Sequence, residues 1–211
     1  MQVILDISAN THRNDPDEMR KLFGAIPKTD KHEIVLKTQF WSRDNPQGDN
    51  EATTFPGLGM FIDIARKSGY EATSSVFDRL AMFNFLTFFE APFIKIACRP
   101  ELYDLAQYVP RGTPIYYSES VKAGPAPLVY YEEEFDKVLA CVPEYPAKFS
   151  AYKSAIDDCD GFSDHTVGRK VFDVCHEGCI YECHYVLERN STNPDAGPFA
   201  KTPEDLREMF K

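Results

Sequence analysis

A basic stripe is missing from this sequence. Acidic residues outnumber basic ones by 33 to 23, for a net charge of −10. Nucleic acid is therefore not expected as a partner, because phosphate backbones are bound through clustered lysine and arginine. An anionic small substrate stays open, since a local pair of lysines can outweigh the global balance. Long apolar runs are missing as well, and no basic segment precedes Met1-Gln2-Val3-Ile4-Leu5, so neither a membrane span nor a signal peptide is expected. No G-x-G-x-x-G follows a candidate strand, which removes the usual dinucleotide reading. There is no internal repeat, low-complexity tract or linker. The six cysteines are scattered without a staple-like layout in a chain long enough, at 211 residues, to build its own core. Reduced thiols and a cytoplasmic location are the expectation.

What is present is a recurrence of short apolar runs with amphipathic stretches between them. Val3–Ser8, Glu33–Gln39, Glu71–Ser75, Phe93–Cys98, Pro114–Ser118, Lys137–Val142, Gly161–His165 and Cys179–Val186 read as strands. Helices are expected over Pro16–Ala25, Gly57–Ser68, Asp78–Phe89, Glu101–Val109, Lys148–Asp157, Val167–Cys175 and Pro203–Phe210. Asp15-Pro16 and Thr202-Pro203 each offer an N-cap followed by proline at the first helical position. Eight strands alternating with helices predict an α/β fold, a compact (β/α)8 barrel of the TIM type, as one domain over residues 1–211. Gly124-Pro125-Ala126-Pro127 breaks periodicity within Val121–Glu134, so the fifth helix is expected to be shortened or missing. The polar stretch Ser42–Pro56 is a candidate lid.

The chemistry concentrates at the predicted C-terminal ends of the strands, where such barrels carry their sites. Period-two alternation puts Ser163 and His165 on one face of the seventh strand, and Glu182 and His184 on one face of the eighth. Four polar groups crowded inside a sheet are costly unless they bind something. Lys37 and Lys95 interrupt apolar runs in comparable positions on the second and fourth strands. A single such lysine often snorkels outward from an edge strand; two in matching places point to a site for phosphate or carboxylate. Gln39 shares a face with Lys37, and Asp6, Ser8 and Asn10 alternate at the end of the first strand. Elsewhere, His12 and His32 read as surface residues. Phe83, Phe85, Phe88 and Phe89 read as core packing of one helix, and Cys175, Cys179 and Cys183 as core thiols rather than a zinc cluster.

These segments resemble the barrel of the N-acetylneuraminate (sialic acid) synthase family. The resemblance runs through Leu5-Asp6-Ile7-Ser8-Ala9-Asn10, Lys37-Thr38-Gln39, Ser74-Ser75-Val76-Phe77-Asp78, Ile94-Lys95-Ile96 and Pro114-Ile115-Tyr116-Tyr117-Ser118. It continues in Cys141-Val142-Pro143-Glu144-Tyr145-Pro146, Phe162-Ser163-Asp164-His165-Thr166-Val167-Gly168, Glu182-Cys183-His184-Tyr185, Asn193-Pro194-Asp195 and Thr202-Pro203-Glu204. Ser-Asp-His-Thr, then Glu-x-His after one helix, then Pro-Asp is the most specific part. The sequence stops at Lys211, just after the last expected helix, so the resemblance is expected to cover the barrel without the family's C-terminal antifreeze-like domain.

The resemblance implies a cytoplasmic transferase of carbohydrate biosynthesis, which condenses phosphoenolpyruvate with an N-acylhexosamine or related aldehyde sugar and releases phosphate. It also implies a divalent metal, manganese first and magnesium or cobalt as alternatives, and a homodimer. Carried over position by position, His165 and His184 are expected metal ligands. Asp6, Lys37, Lys95 and Glu182 form the catalytic group; Ser75, Ser118 and Ser163 bind the donor; Gln39, Tyr145 and Asp195 bind the sugar. The departures cluster at the donor end. Cys98 stands where the family offers a small hydroxyl, Arg99-Pro100 replaces Gly-Glu, Glu119-Ser120 replaces Thr-Gly, and Pro143 replaces asparagine. They support an alternative, a non-catalytic or repurposed barrel that keeps a metal or sugar pocket but binds phosphoenolpyruvate poorly.

Overall fold

The computed structural model describes residues 1–42, 53–120, 135–153 and 159–211. Most of the lid expected over Ser42–Pro56, and the whole stretch expected to shorten or remove the fifth helix, lie outside them. Eight parallel strands pair in sequence order and close on themselves: β1 Gln2–Asp6, β2 Glu33–Phe40, β3 Glu71–Val76, β4 Ile94–Ile96, β5 Ile115–Ser120, β6 Lys137–Cys141, β7 Gly161–Asp164 and β8 Ile180–His184. Closure is made by β1 against β8, with Asp6 opposite His184 and Ile4 opposite Glu182. This is the barrel that the alternation of strands and helices predicts.

Strand alternation sorts the side chains into two cores. Outward residues such as Val3, Leu5, Leu36, Tyr181 and Cys183 join the large core beneath the helices. Inward, Ile4, Val35, Phe93, Leu139 and Ile180 pack with Tyr116 into a plug, and the Phe93 and Tyr116 rings stack at 3.9 Å. Two residues further along each of those strands stand Asp6, Lys37, Lys95, Cys141, Glu182 and Ser118. The floor of the site is therefore dry, and its next layer is polar.

At Gly161 the backbone of β8 lies close against β7. A Cβ there would lie 2.0 Å from the Ile180 carbonyl oxygen, a backbone atom that the ladder holds in place. Gly161→Ala should destabilise the barrel by about 1–3 kcal/mol or more, read as a lower denaturant midpoint at unchanged slope. An unmoved midpoint would contradict this closure.

The helices are α1 Ala9–His12, α2 Pro16–Gly24, α3 Phe55–Lys67, α4 Arg79–Phe88, α5 Phe149–Tyr152, α6 Lys170–Val174 and α7 Pro203–Met209, with a 3-10 helix over Pro100–Tyr108. Asp15 caps α2 by accepting from the N–H groups of Asp17 and Glu18, and Thr202 with Asp205 forms a capping box on α7. None of the helices among the described residues is long and apolar enough to cross a membrane. All six cysteines are free thiols.

Two expectations are corrected. His12 is fully buried, because the single turn α1, which carries no periodicity to read, folds its ring against β2. Its Nδ1 accepts from the Asn14 N–H at 3.0 Å, so Nε2 donates to Thr38 Oγ1 at 3.1 Å. Burial lowers its pKa to about 4, against a weaker backbone hydrogen bond, so the ring is neutral. Of the phenylalanines on α4 only Phe85 is fully buried, while Phe83 and Phe88 are 63% and 62% exposed; four phenylalanines in seven positions exceed the one stripe a helix can bury. The sequence reading also missed a buried polar triad outside the barrel. Asp164 accepts from Tyr181 Oη at 2.7 Å and pairs with Lys201 at 3.2 Å, while Lys201 donates to the Thr166 carbonyl at 2.8 Å.

Candidate active site

The twelve residues picked out as candidates all line one cavity of about 680 Å³ at the C-terminal ends of the strands. They are Asp6, Lys37, Gln39, Ser75, Lys95, Ser118, Tyr145, Ser163, His165, Glu182, His184 and Asp195. Lys37 and Lys95 are 2% and 1% exposed, so neither snorkels to solvent. A closed barrel has no edge strand from which a lysine could reach out, and both ammoniums must find partners inside.

They find them across strands. Lys37 Nζ lies 2.8 Å from Asp6 Oδ2, donates to Ser75 Oγ at 2.9 Å, and stands 3.9 Å from Glu182 Oε1. Gln39 Nε2 donates to the same Asp6 oxygen at 3.1 Å. Lys95 Nζ lies 3.4 Å from Glu182 Oε2 and donates to Ser118 Oγ. Ser163 Oγ donates to Glu182 Oε1 at 3.0 Å. Glu182 is thus the shared counter-ion of both lysines. Burial opposes its charge, but Lys37, Lys95 and the Ser163 hydroxyl outweigh that and bring its pKa from 4.5 to about 2. Burial also works against the Lys37 ammonium, yet Asp6 and Glu182 hold it above its ordinary value. For Lys95 burial wins: Glu182 opposes the drop, nearby Lys37 adds to it, and the amine sits below its ordinary range.

On the other side of the cavity the imidazoles of His165 and His184 lie with ring centroids 5.4 Å apart. His165 Nδ1 donates to the Val142 carbonyl at 2.7 Å, which leaves the Nε2 lone pair as its acceptor. Tyr152, which the sequence reading did not single out, holds the backbone of this strand end: its hydroxyl accepts from the His165 N–H at 3.2 Å and donates to the Ser163 carbonyl at 2.7 Å. Burial first, and His184 second, lower the His165 pKa to about 4, so the ring is neutral at pH 7. His184 stands 3.6 Å from Asp195 and 4.0 Å from Asp6. Asp195 also accepts from Asn10 Nδ2 at 3.0 Å. Tyr145 leans over His165 with centroids 4.3 Å apart and packs on Phe199 at 4.9 Å.

A divalent ion fits this donor set. Imidazoles beside carboxylates suit a borderline or hard divalent cation, and a backbone carbonyl on the far nitrogen of His165 is the usual orienting contact. Asp6 Oδ1 and His184 Nδ1 are buried without a hydrogen bond, as groups awaiting a ligand would be. Among the described residues no three His, Cys, Asp or Glu side chains close on one point. An ion held by the histidine pair would take its remaining ligands from water or substrate.

Trp41, Phe77, Arg99 and Phe199 also line the cavity and were not predicted. They sit on loops beyond the strand ends, where period-two alternation no longer says which way a side chain points.

A barrel of eight parallel strands with its polar layer at the C-terminal mouth defines the (β/α)8 class in which comparable folds are found. No protein-family model matches the chain, and no curated protein matches it by sequence. Among solved structures it is similar to N-acetylneuraminic acid (sialic acid) synthetase from Leptospira borgpetersenii, solved in complex with citrate: TM-score 0.78, 19% identity, covering 99% of this chain and 80% of that one. It is also similar to spore coat polysaccharide biosynthesis protein E from Bacillus subtilis: TM-score 0.70, 19% identity, 99% and 65% covered. A third is phospho-2-dehydro-3-deoxyheptonate aldolase from Thermotoga maritima: TM-score 0.64, 12% identity, 99% and 67% covered. The chain shares the fold of the sialic acid synthase barrels, as its motifs predict.

Proposed function

We propose that this barrel condenses phosphoenolpyruvate with an N-acylhexosamine or a related aldehyde sugar and releases inorganic phosphate. The observation that carries this reading is the division of one cavity into two halves. Lys37, Lys95, Ser75, Ser118 and Ser163 supply donors around one half; His165, His184, Asp195 and Tyr145 line the other. Ammoniums and hydroxyls held in place before substrate arrives can bind the carboxylate and phosphate of an enol donor with little reorganisation. In the other half Asp195 and Gln39 can accept from and donate to sugar hydroxyls, and Tyr145 offers a ring face. His165 and His184 would hold a divalent ion, manganese first, and such an ion when bound polarises the acceptor's aldehyde oxygen. The methylene carbon of the enol donor then forms the new bond to the aldehyde carbon. Water adds at the adjacent, phosphate-bearing carbon and gives a proton to the former aldehyde oxygen, and the C–O bond to phosphate breaks to leave a keto acid and inorganic phosphate. Glu182, ionised down to about pH 2, balances the two lysines through these steps.

The test is phosphate release from phosphoenolpyruvate with manganese and a panel of N-acylhexosamines. Release that needs both the sugar and the metal is expected; none across the panel at high protein concentration would overturn the reading. One observation favours a second reading, a barrel that keeps its pocket without binding phosphoenolpyruvate: each lysine already carries a carboxylate partner. Calorimetric titration separates the two, since metal-dependent binding of phosphoenolpyruvate eliminates the second.

A further inference from the structure

On its charged pairs alone, the cavity is poorly matched to an anion. Asp6, Glu182 and Asp195 contribute three carboxylates, Lys37 and Lys95 two ammoniums. Lys37 is 2.8 Å from Asp6 and Lys95 is 3.4 Å from Glu182, so an entering phosphate or carboxylate meets no uncommitted positive charge among them. One further cation lines the same cavity. Arg99, half-buried, follows Lys95 on the segment leaving β4, where its N–H donates to the Ala97 carbonyl at 2.7 Å. Among the described residues its guanidinium has no carboxylate partner. It is steadied instead by the Phe77 ring, whose centroid lies 5.3 Å from Cζ, and Phe77 stacks in turn on Trp41 at 3.8 Å and 8°. An aromatic face orients a guanidinium without using its N–H donors. The fork therefore remains available to a ligand.

We propose that Arg99 is the anion anchor of this cavity. It takes the phosphate or carboxylate of an anionic ligand, whose charged end then lies on the β3–β4–β5 side beside Ser75 and Ser118, with its other end toward the imidazoles of the β7–β8 side. Arginine suits this place better than lysine because its planar donors meet two oxygens of one oxyanion at once. The identity of the ligand rests on the phosphoenolpyruvate reading; the preference for an oxyanion does not.

Calorimetry on the full chain, wild type against R99A and R99K, tests the assignment with phosphoenolpyruvate, inorganic phosphate, pyruvate and uncharged N-acetylmannosamine, each variant first shown to keep its thermal transition. R99A is expected to weaken phosphoenolpyruvate by roughly 10- to 100-fold, the loss of one or two charge-assisted hydrogen bonds. N-acetylmannosamine should bind unchanged, and R99K should fall between. A matching loss for phosphate but not pyruvate places the phosphate at Arg99; the converse places the carboxylate there. Equal anion affinities in wild type and R99A overturn the anchor while leaving the phosphoenolpyruvate reading intact. Absence of all anion binding by wild type overturns it as well. Phosphate binding that is lost in R99A, in a protein that binds no phosphoenolpyruvate, upholds the anchor and sinks the reading instead.

Discussion

Glu182→Gln is expected to cost about 3–5 kcal/mol of stability at pH 7, the usual consequence of removing one partner from a buried ion cluster. Glu182 is nearly inaccessible, 5% exposed, and balances Lys95 at 3.4 Å and Lys37 at 3.9 Å. Glutamine keeps the shape and the Ser163 hydrogen bond but not the charge. Lys37 still has Asp6. Lys95 is left with no carboxylate and must shed its proton, which limits the damage to the free energy of deprotonating an amine at neutral pH. The same group sets a pH dependence. Its folded pKa of about 2 lies below the ordinary 4.5, so its contribution is complete above about 4.5 and is lost as the pH falls from there toward 2. A difference of that size is worth about 3 kcal/mol. Urea midpoints at pH 7 and pH 3 check both statements: wild type should lose much more than Glu182→Gln over that interval. Parallel losses would mean that Glu182 is not the charged hub of the site.

His165→Ala and His184→Ala should each abolish retention of a divalent ion and lower the condensation rate on the order of a thousandfold or more, the worth of several kcal/mol of charge stabilisation. With two protein nitrogens and no third His, Cys, Asp or Glu closing on the same point among the described residues, neither histidine has a substitute. Inductively coupled plasma analysis after gel filtration gives the metal content independently of turnover. Stoichiometric manganese kept by either variant would remove these histidines as ligands. His165→Ala should also disturb the fold more, because it abandons the Val142 carbonyl at 2.7 Å, whereas His184 Nδ1 makes no hydrogen bond to lose.

The barrel was legible because it rests on local rules repeated along the chain. Alternation with period two separates Val3 and Leu5 from Ile4 and Asp6 wherever a strand forms, and a Pro after Asp15 or Thr202 starts a helix whatever packs on it. That was enough to place Lys37, Lys95, Glu182 and His184 on inward faces at the strand ends, and hence to gather the candidates around one mouth. Where alternation stopped, so did the reading. Trp41, Phe77 and Arg99 lie on connections, α1 is a single turn, and the burial of His12 depends on Thr38, which is distant in sequence.

From the amino-acid order alone came the strand count, the direction of each inward side chain and the polar character of the upper layer, all properties of a residue and its near neighbours. Tertiary closure alone decided which charges cancel. Asp6 meets Lys37 because β1 lies against β2, and Glu182 on the last strand reaches Lys37 because β8 closes on β1. Coulomb energies depend on distances through space, which no spacing along the chain encodes.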